Sequence, residues 1–106
     1  MLQRDIDIAE KFKALVSKRV KVHEVKVFGS RARGDASLYS DMDILVILYG
    51  TPDDETADYI SECAWEAGFE FGVVVVPVVF SLDEWQNSPE RFSLFAQAVE
   101  KEGVLV

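Results

Sequence analysis

The segment VFGSRARGDASLYSDMDILV, residues 27–46, constrains the fold of this chain more than any other part of its sequence. The segment begins at the end of a run rich in β-branched residues, and Gly29 and Ser30 form a turn. Asp41 and Asp43 then stand at the start of a second apolar run. In a strand, residues two apart project on the same face, so we expect both carboxylates to point at one region of space. The pattern predicts a tight loop beside two strands.

The remaining elements are predicted from hydrophobic periodicity and turn residues. The first half of the chain is predicted to form a helix over 4–19, a strand over 20–28, a loop over 29–40 and a strand from 41. A helix follows, with Thr51 as its N-cap and its end at Gly68, and then a strand over 69–80. The C-terminal part is predicted to form a short helix that begins at Ser81, a helix that ends at Gly103, and a tail over 104–106 that could be a last strand. Pro77 suggests an edge or a bulge in the third strand, whose nearly continuous apolarity predicts cover on both faces. A fold that mixes α and β elements is expected.

Most of the large aromatic side chains are expected in the core of this fold. They are Trp65, Phe69, Phe71, Phe80, Trp85, Phe92 and Phe95. Cys63 is expected to be a small packing residue, and His23, with no second histidine in the chain, is expected to be a surface residue of the first strand.

Length and composition limit the class of protein. A chain of 106 residues is expected to form a single domain over 1–106. The charged N-terminus lacks the apolar stretch of a signal peptide, the single Cys63 cannot pair within the chain, and no apolar run approaches the length of a membrane span. We therefore expect a cytoplasmic protein with no membrane partner.

Charge is distributed unevenly along the chain. Residues 1–34 carry nine Lys and Arg against four acids, whereas residues 35–90 carry thirteen acids and no Lys or Arg. The net charge of -8 and the sequence pI near 4.5 lack the basic footprint of a protein that binds extended nucleic acid. A solvated acidic helix face is expected from Asp53, Asp54, Glu55, Asp58, Glu62 and Glu66.

The loop and the two acids together suggest a site for a phosphate ligand. Two adjacent carboxylates repel each other unless a divalent cation lies between them, and Mg²⁺ prefers one or two carboxylates with phosphate oxygens and water. Gly29 lets the backbone approach a phosphate, and the Ser30 hydroxyl can donate to it. Arg31 and Arg33 offer guanidinium donors for a phosphate, although one or both could instead face solvent or pair with acids.

The pattern Gly29-Ser30, followed by Asp41 and Asp43, resembles the signature of the DNA polymerase β nucleotidyltransferase superfamily. The small size of the chain resembles the minimal nucleotidyltransferases, or MNT proteins. This resemblance implies a nucleotidyltransferase fold, with helices packed on a mixed β-sheet, that uses two Mg²⁺ ions and an NTP. Gly29 and Ser30 would hold the triphosphate, and Asp41 and Asp43 would hold the metals.

A third carboxylate from a later strand is part of the family's catalytic site. The segment Val73–Val79 contains no acid, and Glu70 is the only carboxylate in the predicted third strand. If that strand begins near Phe69, alternation places Glu70 and Gly72 on one face, with space for a metal or a substrate beside Glu70. Asp41, Asp43 and Glu70 are the expected catalytic residues, while a solvated or helix-terminal Glu70 would leave one metal site incomplete.

Three hypotheses about function follow. The first is an Mg²⁺-dependent transferase that moves a nucleoside monophosphate, AMP from ATP, to an acceptor hydroxyl as the MNT antitoxin of a HEPN-type toxin. The second is a catalytically weak or inactive NTP-binding antitoxin that neutralises its partner by complex formation. The third, an unrelated phosphate-binding module, leaves the Asp-x-Asp pair unexplained. The apolar tail over 104–106 could also pair with a second copy, which leaves a homodimer open.

Overall fold

The computed structural model describes residues 1–34, 41–87 and 90–106, without the side chains of 90–93. In these ranges the helices are α1 (Gln3–Ser17), α2 (Ser30–Arg33), α3 (Asp54–Phe69), α4 (Leu82–Gln86) and α5 (Glu90–Glu102). The strands are β1 (Val22–Phe28), β2 (Met42–Leu48), β3 (Val75–Ser81) and β4 (Val104–Leu105). Residues 35–40 of the predicted loop and the side chain of Phe92 lie outside the described residues.

The strands of the described residues form one mixed sheet in the order β3-β2-β1-β4. β1 is antiparallel to β2 and to β4, and β2 is parallel to β3. This confirms the predicted mixed α/β class and the prediction of a strand in the C-terminal tail. It also places β3, with Pro77, at one edge of the sheet, as the sequence suggested.

Helices cover both faces of the sheet. The larger core lies under α1 and α3, where Phe12, Ile44 and Ile60 are fully or almost fully buried. On the opposite face, Leu45 and Ile47 of β2 pack with Val99 of α5 and with half-buried aromatic side chains that include Phe80, Trp85 and Phe95. Alternation along β2 therefore assigns odd-numbered residues to the α5 face and even-numbered residues to the α1 and α3 face.

Several predicted boundaries are wrong. α3 has Asp53 as its N-cap, whose carboxylate accepts a hydrogen bond from the Thr56 N–H at 2.8 Å, because this aspartate rather than Thr51 directly precedes the first helical turn. The predicted loop after β1 contains the short helix α2. The capping box of α4, in which Ser81 and Glu84 exchange hydrogen bonds at 3.0 Å, is confirmed.

The largest correction concerns the third strand, which begins at Val75 and not at residue 69. α3 continues through Gly68 to Phe69, and the chain then turns so that the Val73 N–H donates to the Gly68 carbonyl at 3.0 Å. A Cβ atom at Gly68 would lie 2.0 Å from the Val73 carbonyl oxygen, so this turn requires glycine. Apolar composition alone could not separate this turn from the strand that follows it.

The predicted burial of the aromatic side chains is wrong for three of them. Trp65, Phe69 and Phe71 are exposed, and most of β3 is half-buried instead of covered on both faces. Phe69 and Phe71 are exposed because they lie at the end of α3 and in the turn after it rather than in a covered strand. Trp65 lies on the predicted helix, on the side of it that is exposed. His23 is exposed and Cys63 is buried, as predicted. Among the residues that the structure places, none of the helices is both long and apolar enough to cross a bilayer.

Candidate active site

Asp41 and Asp43 lie at the start of β2. Asp43 is half-buried on the α5 face of the sheet, and Asp41 is exposed immediately before the strand. Burial, and secondarily the charge of Asp41, raise the pKa of Asp43 above its ordinary value. The negative charge of Asp41 therefore acts on the Asp43 carboxylate.

Gly29 contacts this pair directly. Gly29 follows the last residue of β1, Phe28, which lies opposite Asp43 in the antiparallel pairing of β1 with β2. The φ of Gly29 is +75° with ψ at -155°, a conformation that is essentially restricted to glycine. A Cβ atom on Gly29 would lie 2.6 Å from Oδ2 of Asp43. The missing side chain therefore leaves the space that the Asp43 carboxylate occupies.

The Gly29→Ala substitution is expected to displace the Asp43 carboxylate and to destabilise the fold by about 1–3 kcal/mol through backbone strain. Gly34→Ala is the matched control, because Gly34 also has a positive φ of 81° but, among the described residues, no heavy atom lies within 4 Å of the position that its Cβ would take. Denaturant unfolding and Mg²⁺-dependent ATP binding measure the two effects. Both variants should lose stability, and only Gly29→Ala should lose metal-dependent binding. An equal loss of binding in Gly34→Ala would contradict the contact.

Arg31 is buried and pairs with an acid of α1. Its guanidinium Nη1 donates to Oδ1 of Asp5 at 2.7 Å, and the two side chains are 2% and 4% exposed. A buried charge needs a partner, and Asp5 supplies one. The geometry thus favours the alternative in which this arginine pairs with an acid, and it ties α2 to α1.

Asp5 is a residue that the sequence-based prediction missed. It shares one face of α1 with Ile8, Phe12 and Val16, at the spacing of a buried helical stripe. An acid on an apolar stripe signals a buried partner of opposite charge. The sequence therefore indicated that Asp5 has a buried partner, but it did not indicate that the partner is Arg31.

Arg33 lies at the surface, at the end of α2. Its Nη1 donates to Oε2 of Glu102 at 3.1 Å, and both side chains are partly exposed. An exposed pair of this kind is weak.

Glu70 is separated from the two aspartates. It is the C-cap residue of α3, its side chain is 72% exposed, and Oε2 lies 4.0 Å from Nζ of Lys11 on α1. Because α1 and α3 pack on one face of the sheet and Asp43 faces α5 on the other, the sheet lies between the carboxylates. The prediction that Glu70 shares a strand face beside the aspartates is wrong, because β3 begins only at Val75 and Glu70 lies at the end of α3.

Glu70→Gln is expected to leave the rate of nucleotidyl transfer within about twofold of the wild type, since surface substitutions away from a site are usually near neutral. A steady-state transfer assay with Glu66→Gln, an exposed acid of the same helix, as the control checks this expectation. A tenfold or larger loss confined to Glu70→Gln would restore Glu70 to the catalytic group.

Val76 occupies the place on β3 beside Asp43. The parallel register pairs Asp43 with Val76, and neighbours in register share a face of the sheet. Within the ranges 1–34, 41–87 and 90–106, no group of three histidine, cysteine or acidic side chains is placed to hold a metal ion.

A pair of carboxylates beside a glycine turn suits a magnesium ion that is also held by the phosphate oxygens of a substrate. The nucleotidyltransferase domain family model matches residues 5–103, and this chain belongs to that family of enzymes. A candidate protein adenylyltransferase of Methanocaldococcus jannaschii is 33% identical over 99 residues, which cover 92% of this chain and 93% of that protein. A second from the same organism is 42% identical over 60 residues, and that match spans 53% of this chain and 61% of the relative.

Solved structures share the fold at low sequence identity. A chain from a crystal structure of a toxin–antitoxin pair with AMP-PNP superposes with a TM-score of 0.66 at 21% identity, covering 98% of this chain and 72% of that chain. A chain from the complex of a tri-AMPylated Shewanella oneidensis HEPN toxin with its MNT antitoxin gives a TM-score of 0.59 at 19% identity, covering 97% and 71%. These likenesses confirm the predicted nucleotidyltransferase fold.

Proposed function

We propose that this protein is an Mg²⁺-dependent adenylyltransferase that moves AMP from ATP to a hydroxyl group of a partner protein. The observation that carries the proposal is the contact between Gly29 and Asp43, which joins the phosphate loop to the carboxylate pair. The donor set fits magnesium, because two carboxylates, one of them half-buried and raised in pKa by burial and by its neighbour, gain from a divalent cation. The Methanocaldococcus jannaschii relatives are named as protein adenylyltransferases, which supports a protein as the acceptor of AMP.

In this proposal Asp41 and Asp43 hold the metal ions, and Gly29 and Ser30 bind the triphosphate. Magnesium at this site would neutralise charge on the phosphate oxygens. The acceptor hydroxyl oxygen forms a bond to the α-phosphorus of ATP while the bond from that phosphorus to the bridging oxygen breaks. Pyrophosphate leaves with the electron pair, and the hydroxyl proton passes to a base or to solvent. Arg33 can add charge stabilisation if it leaves Glu102.

The proposed partner is a HEPN-type toxin, in a pair for which this chain is the MNT antitoxin. Structures with the same fold come from toxin–antitoxin complexes, and one of those contains an AMPylated HEPN toxin. The sequence resemblance to minimal nucleotidyltransferases supports the same setting. A cytoplasmic location is consistent with this role.

The test is transfer of label from ATP, radiolabelled at the α-phosphate, to a purified HEPN protein encoded beside this chain. We expect label on a hydroxyl side chain of the partner with Mg²⁺ and none with EDTA. Mass spectrometry then identifies the modified residue. Label that appears equally with EDTA would contradict the metal role, and no label with any partner hydroxyl would contradict transfer to protein.

A second function, NTP-dependent binding of the toxin without turnover, is supported by Val76. Among the described residues, this valine is the β3 neighbour of Asp43, at a position from which a carboxylate would face the pair. Under this alternative, ATP and Mg²⁺ raise the melting temperature of the protein and the toxin is neutralised in complex, yet no label is transferred.

A further inference from the structure

An apolar groove lies between α3 and the edge strand β3. It encloses about 610 Å³ and is lined by small and apolar side chains from the C-terminal half of α3, the following turn and the first half of β3. Trp65 and Phe69 are 67% and 68% exposed at its rim, with their ring centroids 4.7 Å apart. Val74, also exposed, continues this surface. Large apolar side chains grouped in this way mark an interaction surface.

Most of the groove lies on the side of the sheet away from the proposed nucleotide site. Gly68 and Val75, which line it, belong to the side covered by α1 and α3, whereas Asp43 faces α5. Val76 also lines the groove, and it is the β3 neighbour of Asp43.

Addition of a β-strand at this edge is disfavoured by Pro77. The Val74 carbonyl accepts from the Met42 N–H at 2.8 Å, so Val74 and Val76 direct their backbone groups toward β2. Pro77 then faces the outer edge, where it has no N–H to donate. A strand laid along β3 would lose its central hydrogen bond, and an occupant that docks through side chains, such as a helix, fits better.

The charge around the groove defines the chemistry of its occupant. Glu62, Glu66 and Glu70 are exposed on α3 beside Trp65 and Phe69. The whole segment 35–90 contains no Lys or Arg, and Lys11, 4.0 Å from Glu70, is the nearest described cation paired with these acids. A second copy would bring the same acids face to face across a two-fold interface, which like-charge repulsion opposes.

We propose that the groove between α3 and β3 binds a helix of a partner protein that presents an apolar stripe flanked by lysine and arginine. The lining spans residues 61–69 of α3, a length of about 12–14 Å at 1.5 Å per residue that matches two to three turns of a docked helix. Apolar residues of the partner fill the space beside Trp65 and Phe69, and its cations meet the glutamates. The proposal rests on no part of the nucleotide chemistry above.

The probe is a synthetic helical peptide of about fifteen residues with a leucine stripe and lysines on either side, titrated into the full chain without nucleotide. Calorimetry and the emission of Trp65, followed in a Trp85→Phe background, report binding. A peptide with the same stripe and glutamates in place of lysines is expected to bind at least about tenfold more weakly because of the acidic rim. Equal binding of the two peptides would overturn the charge assignment.

Substitution of the rim locates the site of binding. Phe69→Ser is expected to weaken the lysine peptide at least about tenfold, as loss of an exposed aromatic anchor does. Leu94→Ser, equally exposed at 68% on α5, is the matched control and should bind as the wild type does. Glu62→Gln with Glu66→Gln should weaken the lysine peptide without affecting the fold. Unchanged affinity of Phe69→Ser for the lysine peptide would overturn the proposal. It would also be overturned if sedimentation shows that the wild type is a dimer and that Phe69→Ser dissociates it.

Discussion

Asp43→Asn is expected to reduce AMP transfer from ATP at least about a hundredfold, because a metal clamp on phosphate contributes several kcal/mol and each 1.4 kcal/mol is a factor of ten. Asp41→Asn should show a loss of the same kind. The assay is transfer of label from ATP to the HEPN partner, and the matched control is Asp58→Asn, an exposed acid on α3. A variant with both aspartates changed should also lose the Mg²⁺-dependent rise in melting temperature with ATP. ATP affinity that is identical in EDTA and Mg²⁺ would contradict the metal role.

The melting temperature of Asp43→Asn shows whether a loss of transfer comes from the missing carboxylate or from unfolding of the variant. Burial and Asp41 raise the pKa of Asp43 in the folded protein, so ionisation of this carboxyl destabilises the folded state relative to the unfolded chain. Stability from this group is present below the unfolded-state pKa and is lost as the pH rises through the folded-state pKa. In EDTA at neutral pH, Asp43→Asn should therefore melt at a higher temperature than the wild type. This difference should be smaller near pH 3.8, the ordinary pKa of aspartate. A variant that melts lower than the wild type at neutral pH would contradict the repulsion.

Asp5→Ala is expected to destabilise the protein by about 3–5 kcal/mol, the range for breaking a buried ion pair by removing one partner. The reason is that Arg31 would keep its charge at a position where its side chain is 2% exposed. For a domain of this size the loss corresponds to a fall in melting temperature of about 15 °C or more. Denaturant unfolding measures the free energy, and thermal unfolding measures the fall in melting temperature.

Two variants control this prediction. Asp7→Ala, an exposed acid on the same helix, should change stability by at most about 0.5 kcal/mol. The double variant Asp5→Leu with Arg31→Met removes both charges and should recover much of the loss, since apolar replacements of a buried pair are often neutral or stabilising. A loss below about 1 kcal/mol in Asp5→Ala would show that Arg31 does not depend on Asp5. ATP binding by the double variant then shows whether the pair also positions Gly29 and Ser30.

The acid pair and the glycine turn could be predicted from sequence because both are local. Asp41 and Asp43 are two residues apart at the start of an apolar run, and strand geometry alone directs them to one face. Gly29 ends a β-branched strand, where a turn residue is expected. The capping box at Ser81 and the mixed α and β order were predictable for the same reason, since each depends on residues within a few positions.

Glu70 and the exposed aromatics could not be assigned from sequence in this way. Where α3 ends and β3 begins depends on the close approach of Gly68 to the Val73 carbonyl, a contact that no apolar pattern encodes. Because β3 begins only at Val75, Glu70 lies at the end of α3, on the opposite side of the sheet from Asp43. Trp65 and Phe69 line a groove instead of the expected core.

The local pattern of the sequence therefore determined the fold class, the carboxylate pair and the glycine turn, because backbone geometry orients residues that are close along the chain. The tertiary structure alone decided the partners of residues that are far apart along the chain. It placed Arg31 against Asp5, Val76 beside Asp43 and Lys11 beside Glu70. Such pairings depend on which faces of the sheet the helices cover, and burial then selects between a charge that binds a ligand and a charge that holds the fold.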